Sequence, residues 1–252
     1  MALIHCDFYS EVLGFATSMT VVLPRASGPE IRGRKHPVLY LLHGLSDDHT
    51  VWLRQTAIER YAVARDLAVV MPNVHRSFFC DMASGYDYWR FICEELPDLA
   101  RGFFPLSDDR RSTFVAGLSM GGYGAFKLAL SFPERFAAAA SLSGAVDVAS
   151  MFRERGEEWR RELERIFGSE EAVRGSENDL YFLAEKLASA RGPKPKLYQC
   201  CGLSDGLLEQ NREFRNHLRR LKLKHSYREG PGGHAWEYWD KMIQRVIRWL
   251  PI

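Results

Sequence analysis

The sequence predicts an α/β fold: a mostly parallel central sheet with an antiparallel N-terminal edge and helices on both faces. Three observations carry that expectation. Short apolar runs rich in β-branched and aromatic residues recur along the chain, amphipathic stretches lie between them, and the first two extended segments alternate in polarity instead. Doubly buried parallel strands read as continuous apolar runs, and the stretches between them supply the covering helices. At 252 residues, 46% hydrophobic and 26% charged, the chain suits a single domain, 1–252, with a sizeable core.

The edge pair is expected at Leu3 to Val12 and Thr17 to Leu23, flanking Gly14. Buried strands follow at Val38 to Leu42, Ala68 to Met71, Ser112 to Ala116, Ala137 to Leu142 and Lys196 to Cys200, with a further strand-like run at His225 to Arg228. Tyr88, Ile92, Leu96, Leu99 and Phe103 recur at helical spacing and predict one buried stripe. Pro97 should kink or divide that helix, because it lacks an amide hydrogen and crowds the preceding turn. Leu207, Asn211, Phe214, Leu218 and Leu221 form a second stripe; Trp236, Trp239, Ile243, Val246 and Leu250 form a third. Both are read as core. Val146 to Pro195 is far longer than the usual α/β connection and is the candidate cap-like insertion, at about 146–195. Its charge-rich part, Arg153 to Arg165, keeps Trp159, Leu163 and Ile166 at helical spacing, so most of those charges are read as a solvated face.

With 34 basic and 32 acidic residues, a net charge of +2, nothing points to a nucleic-acid or anionic-membrane partner. A small neutral substrate suits that balance. No apolar run approaches the roughly 18 residues needed to span a bilayer. Met1 to Ser10 lacks a basic stretch followed by an apolar core, so a cytoplasmic location is expected. The five cysteines (Cys6, Cys80, Cys93, Cys200, Cys201) have no metal-type spacing and are read as reduced packing residues. No metal site is expected.

Gly117-Leu118-Ser119-Met120-Gly121 matches G-x-S-x-G between a predicted strand and a predicted helix, Tyr123 to Leu130, that ends before Phe132-Pro133. Ser119 thus falls on a sharp strand-to-helix turn. A β-carbon at Gly117 or Gly121 should collide with the neighbouring strand or helix, while Gly122 and Gly124 should let the helix approach the sheet. The same turn aims the amide of Met120 and the helix N-terminus at a carbonyl oxygen gaining negative charge. Ser143, in Ser141-Leu142-Ser143-Gly144, is the nearest alternative serine, but no glycine stands two residues before it.

A serine hydroxyl needs a base to take its proton. His234 is the candidate, since it sits in an irregular loop with Gly230-Pro231-Gly232-Gly233 between a strand and a helix. The orienting acid should follow a strand lying between serine and histidine in the chain, and Asp205 in Gly202-Leu203-Ser204-Asp205-Gly206 fits; Asp147 is the runner-up. The second oxyanion donor is assigned to the amide of Leu45 in His43-Gly44-Leu45, with Gly44 allowing close approach and His43 a structural hydrogen-bonder. Trp52, Phe78 and Met151 are candidate substrate-pocket walls.

Several segments together resemble the α/β-hydrolases of the esterase D and S-formylglutathione hydrolase group, and within it the bacterial tributyrin esterases. They are Tyr40-Leu41-Leu42-His43-Gly44-Leu45-Ser46, Val69-Val70-Met71-Pro72-Asn73, Glu94-Glu95-Leu96-Pro97, Ala116 to Gly124, Ser141-Leu142-Ser143-Gly144 and Gly233-His234-Ala235-Trp236-Glu237-Tyr238-Trp239. The resemblance spans nearly the whole chain. It implies an α/β-hydrolase fold, hydrolysis of short acyl esters (acetyl to butyryl) without metal or organic cofactor, and often a homo-oligomer. It agrees with Ser119, Asp205 and His234 as the catalytic residues. One departure stands out: His43-Gly44-Leu45-Ser46-Asp47 replaces the Ser-Gly-Leu-Thr-Cys typical of S-formylglutathione hydrolases, which favours the ester over the thioester reading. An S-formylglutathione thioesterase, an acetyl or feruloyl esterase on decorated carbohydrate, and a non-catalytic ligand-binding protein are the alternatives.

Overall fold

The two N-terminal segments form the edge of one sheet. In the computed structural model, which describes residues 1–25, 33–154 and 156–252, β1 (Ala2–Ser10) pairs antiparallel with β2 (Phe15–Leu23), and β2 pairs antiparallel with β4 (Ala68–Pro72). From there all pairings are parallel. They run through β3 (Val38–Leu42), β5 (Thr113–Leu118), β6 (Ala138–Leu142), β7 (Lys196–Gly202) and β8 (His225–Gly230), giving eight strands in the order β1-β2-β4-β3-β5-β6-β7-β8.

The strands of β3 to β6 are buried at every position, as strands covered on both faces must be. Their side chains part by the two-residue period. Val38, Tyr40, Leu42 and Val115 join one apolar cluster, while Leu39, Leu41, Phe114 and Ala116 join the other. The helices α1 (Val51–Gln55), α2 (Ile58–Val63), α3 (Tyr88–Arg90), α4 (Leu96–Phe103) and α5 (Met120–Ser131) lie between successive strands of the first half. The second half carries α6 (Met151–Glu154), α7 (Glu157–Phe167), α8 (Glu170–Val173), α9 (Leu180–Ser189), α10 (Leu208–Arg220) and α11 (Trp236–Trp249). No described helix is long and apolar enough to cross a membrane.

Several predicted boundaries move for local reasons. β1 stops at Ser10 rather than Val12 because Ser10 Oγ accepts the Leu13 amide at 3.0 Å and its carbonyl the Gly14 amide at 2.9 Å, closing the turn. β5 begins after a turn at Arg110–Ser112, capped by Asp109, and runs on through Gly117 and Leu118, which pair with Leu42 and Leu142. Pro97 does divide its helix. A π-turn at Phe91–Glu95 precedes α4, and the Cys93 carbonyl, which Pro97 cannot serve, accepts from Arg135 Nη1 at 2.5 Å. Phe103, predicted in the buried stripe, is 51% exposed; it touches Phe8 on the edge strand instead.

The insertion, residues 146–195, folds as α6 to α9 and is anchored to the helix behind Ser119. Tyr123 Oη donates to the Asn178 carbonyl at 2.9 Å, and buried Lys127 donates to Asn178 Oδ1 at 2.7 Å and to the Phe79 carbonyl at 3.2 Å while lying 4.0 Å above the Trp89 ring. All five cysteines are free, and all but Cys6 are buried.

Candidate active site

The elbow follows from its glycines. Ser119 has φ 53° and ψ −117°, a left-handed conformation that a side chain adopts only when its surroundings impose it, at a cost of about 1–3 kcal/mol. Here the surroundings are three backbone hydrogen bonds: the Ser119 amide to the Leu142 carbonyl (2.9 Å), and the Ser119 carbonyl from the amides of Tyr123 (3.1 Å) and Ala145 (3.2 Å). A β-carbon on Gly117 would run into the Gly121 backbone, and one on Gly121 would lie 2.5 Å from the Leu42 carbonyl oxygen. Gly122 lets α5 approach β6, since a β-carbon there would sit 2.9 Å from Gly144 Cα. Gly124 serves a different neighbour: it abuts the Phe79 ring, not the sheet.

Three strand ends bring the polar side chains together. Ser119 ends β5, Asp205 follows β7 and His234 follows β8, all at the carboxyl edge of the sheet. The latter two loops are stitched to each other, with the Leu203 amide on the Gly230 carbonyl and the Ser204 amide on the Gly232 carbonyl, both at 2.9 Å. His234 Nε2 lies 3.0 Å from Ser119 Oγ, and His234 Nδ1 lies 2.9 and 3.1 Å from the two Asp205 oxygens. Asp205 also accepts the Leu207 amide at 2.9 Å.

Burial pushes the Asp205 carboxyl up, but the hydrogen bond and charge of His234, the Leu207 amide and the nearby Ser143 hydroxyl outweigh it, and the group stays below its ordinary value. An ionised carboxylate can only accept, so Nδ1 bears the proton and Nε2 is left to accept from Ser119. The runner-up acid is engaged elsewhere: Asp147 Oδ1 pairs with Arg174 at 3.3 Å and accepts the Ser150 amide at 3.1 Å.

His43 holds the second loop. Its Nε2 accepts the Val74 amide at 3.1 Å, so Nδ1 carries the hydrogen and donates to the Gly44 carbonyl at 2.7 Å. Burial lowers its pKa to about 4, partly offset by the Gly44 carbonyl and Asp48; the ring is a neutral bracket. A β-carbon on Gly44 would lie 2.8 Å from Leu118 Cδ1 and 3.0 Å from Asp47 Oδ2, so a side chain there would have to displace both where the loop meets the elbow. Among the described residues, the amides of Leu45 and Met120 donate to no backbone or side-chain acceptor.

Ser119 and His234 open onto a cleft of about 620 Å³. Gly44, Leu45, Ser46 and Asp47 form one side, Trp236, Glu237 and Trp239 the other, and Gln55, Arg76 and Trp159 complete the rim. Trp52, Phe78 and Met151, expected as walls, are instead buried in the two cores. Trp52 Nε1 donates to the Leu42 carbonyl at 3.1 Å, and its ring stands 5.2 Å behind Trp236. Phe78 packs on Tyr123 and Phe167. The insertion does reach the cleft, through Trp159 rather than Met151. Spacing assigns Trp236 and Trp239 to core, and Trp239 is buried there with Trp236 packed half-buried against that cluster; both also line the cleft beside His234, whose ring lies 4.9 Å from Trp239. A tryptophan two residues after the histidine was the available signal.

This fold and site define an α/β serine hydrolase. The chain belongs to the Esterase family, whose model, described as "Putative esterase", matches residues 10–250. It is 30% identical over 262 residues to an acetyl esterase of Caldicellulosiruptor saccharolyticus, covering 99% of this chain and 98% of that one. Among solved structures it is similar to FphF, a fluorophosphonate-binding serine hydrolase of Staphylococcus aureus in a substrate-bound state (37% identity, TM-score 0.92, 99% and 98% of the two chains). It is also similar to the S-formylglutathione hydrolase FrmB of the same organism as apoenzyme (37% identity, TM-score 0.89, 99% and 98%). The chain is a carboxylic ester hydrolase.

Proposed function

We propose that the chain is a serine carboxylesterase that removes short acyl groups, acetyl to butyryl and including tributyrin-like glycerides, through an acyl-enzyme. The observation that carries this reading is the continuous hydrogen-bonded path from Ser119 through His234 to Asp205, opening on a cleft. Ser119 Oγ attacks the ester carbonyl as its proton passes to His234 Nε2, and Asp205 stabilises the imidazolium without taking the proton. The Leu45 and Met120 amides hold the oxyanion. His234 then protonates the departing alcohol, and water repeats the sequence to free the acid.

A second reading is the thioester version of this chemistry on S-formylglutathione, supported by the likeness to FrmB, an S-formylglutathione hydrolase. Asp47 stands against it, at the position where such enzymes typically carry cysteine.

Purified protein mixed with p-nitrophenyl butyrate should release a burst of p-nitrophenol matching the number of chains, then turn over steadily. The specificity constant should fall from butyrate to octanoate esters. Preference for octanoate would remove the short-chain assignment, and S-formylglutathione turning over far faster than either ester would select the second reading.

A further inference from the structure

Beside the catalytic cleft runs a second, wider groove of about 690 Å³, lined by Phe15, Met82, Tyr86, Tyr88, Arg76 and Arg165. Its floor is aromatic. Phe15, at the start of β2, meets Tyr86 edge to face at 4.8 Å, and Tyr86 meets Tyr88 at 6.4 Å and 85°. Such pairing leaves ring surface for an added ring to stack or pack edgewise; Tyr86 is 53% exposed. The rim is cationic. Arg165 forms no ion pair among the described residues, and Arg76, from the loop after β4, pairs with Glu162 of α7 at 2.7 Å while remaining half exposed.

Two features tie this groove to the chemistry next door. Arg76 lines both spaces, so the groove adjoins the cleft that holds Ser119. The charges are also sorted. The cleft sets Asp47 and Glu237 against the shared Arg76, whereas the groove beyond adds Arg165 and, among the described residues, no lining carboxylate. An anionic group would be repelled from the first and attracted by the second, which orients an elongated substrate before it reacts.

We propose that this groove is a subsite for the distal end of the ester, and that the end it takes is an aromatic ring bearing a carboxylate. The inference rests on the esterase reading above and adds the substrate class that the groove selects. Glu162 then acts as a stand-in for the absent carboxylate, holding Arg76 until the substrate's own anion competes for it.

The test uses binding, so that it stands apart from turnover. Ser119→Ala protein is titrated calorimetrically with two pairs of esters. In one pair the alcohol part carries para-carboxyphenylpropyl or its neutral carboxamide counterpart; in the other the same groups sit on the acyl part. In at least one pair the carboxylate should bind about three- to tenfold more tightly than the carboxamide, and the pair that shows it tells which half of the ester lies in the groove. Because the arginines are exposed, the preference should fade in high salt. Adding Arg165→Gln should bring the ratio towards one, and adding Glu162→Gln should raise it by releasing Arg76. Equal binding of carboxylate and carboxamide in both pairs, or a preference untouched by Arg165→Gln, overturns the proposal. Wild-type hydrolysis of p-nitrophenyl butyrate, measured separately, decides the esterase reading, so the two failures cannot be confused.

Discussion

Two neighbouring strands, β5 and β6, are each followed directly by a serine with left-handed backbone: Ser119 at φ 53° and Ser143 at φ 48°. They are sutured together, for the Ser119 amide donates to the last residue of β6 and the Ser119 carbonyl accepts from Ala145. Yet only Ser119 meets the cleft. After Ser119 a twelve-residue helix begins at once, so the turn is sharp, the hydroxyl is thrust outward and the following amide is left for a ligand. After Ser143 no helix starts before Met151; its amide is consumed by the Cys200 carbonyl at 2.7 Å, and its hydroxyl is buried close to Asp205. Backbone strain alone therefore does not set a serine against a base; of the two, only Ser119 is followed at once by a helix and faces His234.

The widest gap between the two serines should appear in turnover. Ser119→Ala removes the proposed nucleophile and should lower the specificity constant for p-nitrophenyl butyrate by about 10⁴-fold or more. Ser143→Ala removes a buried hydroxyl near Asp205 through which the path from Ser119 to Asp205 does not pass, and should cost no more than about 1 kcal/mol or roughly fivefold in rate. A fluorophosphonate should label Ser119 and spare Ser143. Comparable losses in the two variants, or label on Ser143, would erase the distinction.

This contrast also marks what could be read from the sequence. The parallel strands were legible because burial on both faces makes them continuous apolar runs, and the elbow because its glycines answer collisions any such turn creates. Strand-end loops in the right chain order picked out Ser119, His234 and Asp205, which the fold joins in one hydrogen-bonded path. The cleft walls were not. A 3.6-residue period says that Trp236 and Trp239 share a face of α11, but not that this face, while packed on the core, also borders the cleft beside His234. Trp52 was misplaced for the converse reason: an aromatic close in sequence to the oxyanion loop lies one layer behind the surface it supports. Ser143's backbone, the Arg76–Glu162 pair and the role of Trp159 depend on tertiary approach, which leaves no local pattern.

The glycines give the next largest contrast, in stability. Gly117→Ala sets a β-carbon against the backbone of Gly121, which cannot turn aside; unfolding in urea should show a loss of more than about 3 kcal/mol. At the β6 turn, a β-carbon on Gly144 first meets a side chain, the buried Ser141 hydroxyl, with Val146 Cγ1 and the Gly122 backbone next at 3.2 and 3.3 Å. Gly144→Ala should therefore be rescued in part by Ser141→Ala, with a coupling of about 1–2 kcal/mol. No side-chain truncation should rescue Gly117→Ala. Additive losses at Gly144 and Ser141 would contradict the assignment of that clash to the hydroxyl.

The smallest expected difference concerns pH, and it again separates the two strand ends. The elbow adjoins the loop from Gly44 to Asp47, and that loop leans on His43, which the fold keeps neutral down to about pH 4. An unfolded chain would bind a proton there near pH 6.5. Between those values the unfolded state carries more protons than the native one, so stability falls as the medium is acidified through that window and levels off below it. The full effect is about 3 kcal/mol for a site as buried as this. His225 is also lowered to about 4 by burial and adds its own slope, so the measurement is a difference: urea midpoints of the natural chain and of His43→Gln, taken from pH 7 to pH 4. The natural chain should lose stability faster over that range, and its activity should fail with it, because release of the Val74 and Gly44 contacts loosens the loop proposed to present the Leu45 amide. Parallel curves for the two proteins would mean that His43 titrates alike in folded and unfolded chains, and that the oxyanion side of the elbow has no acid-sensitive prop.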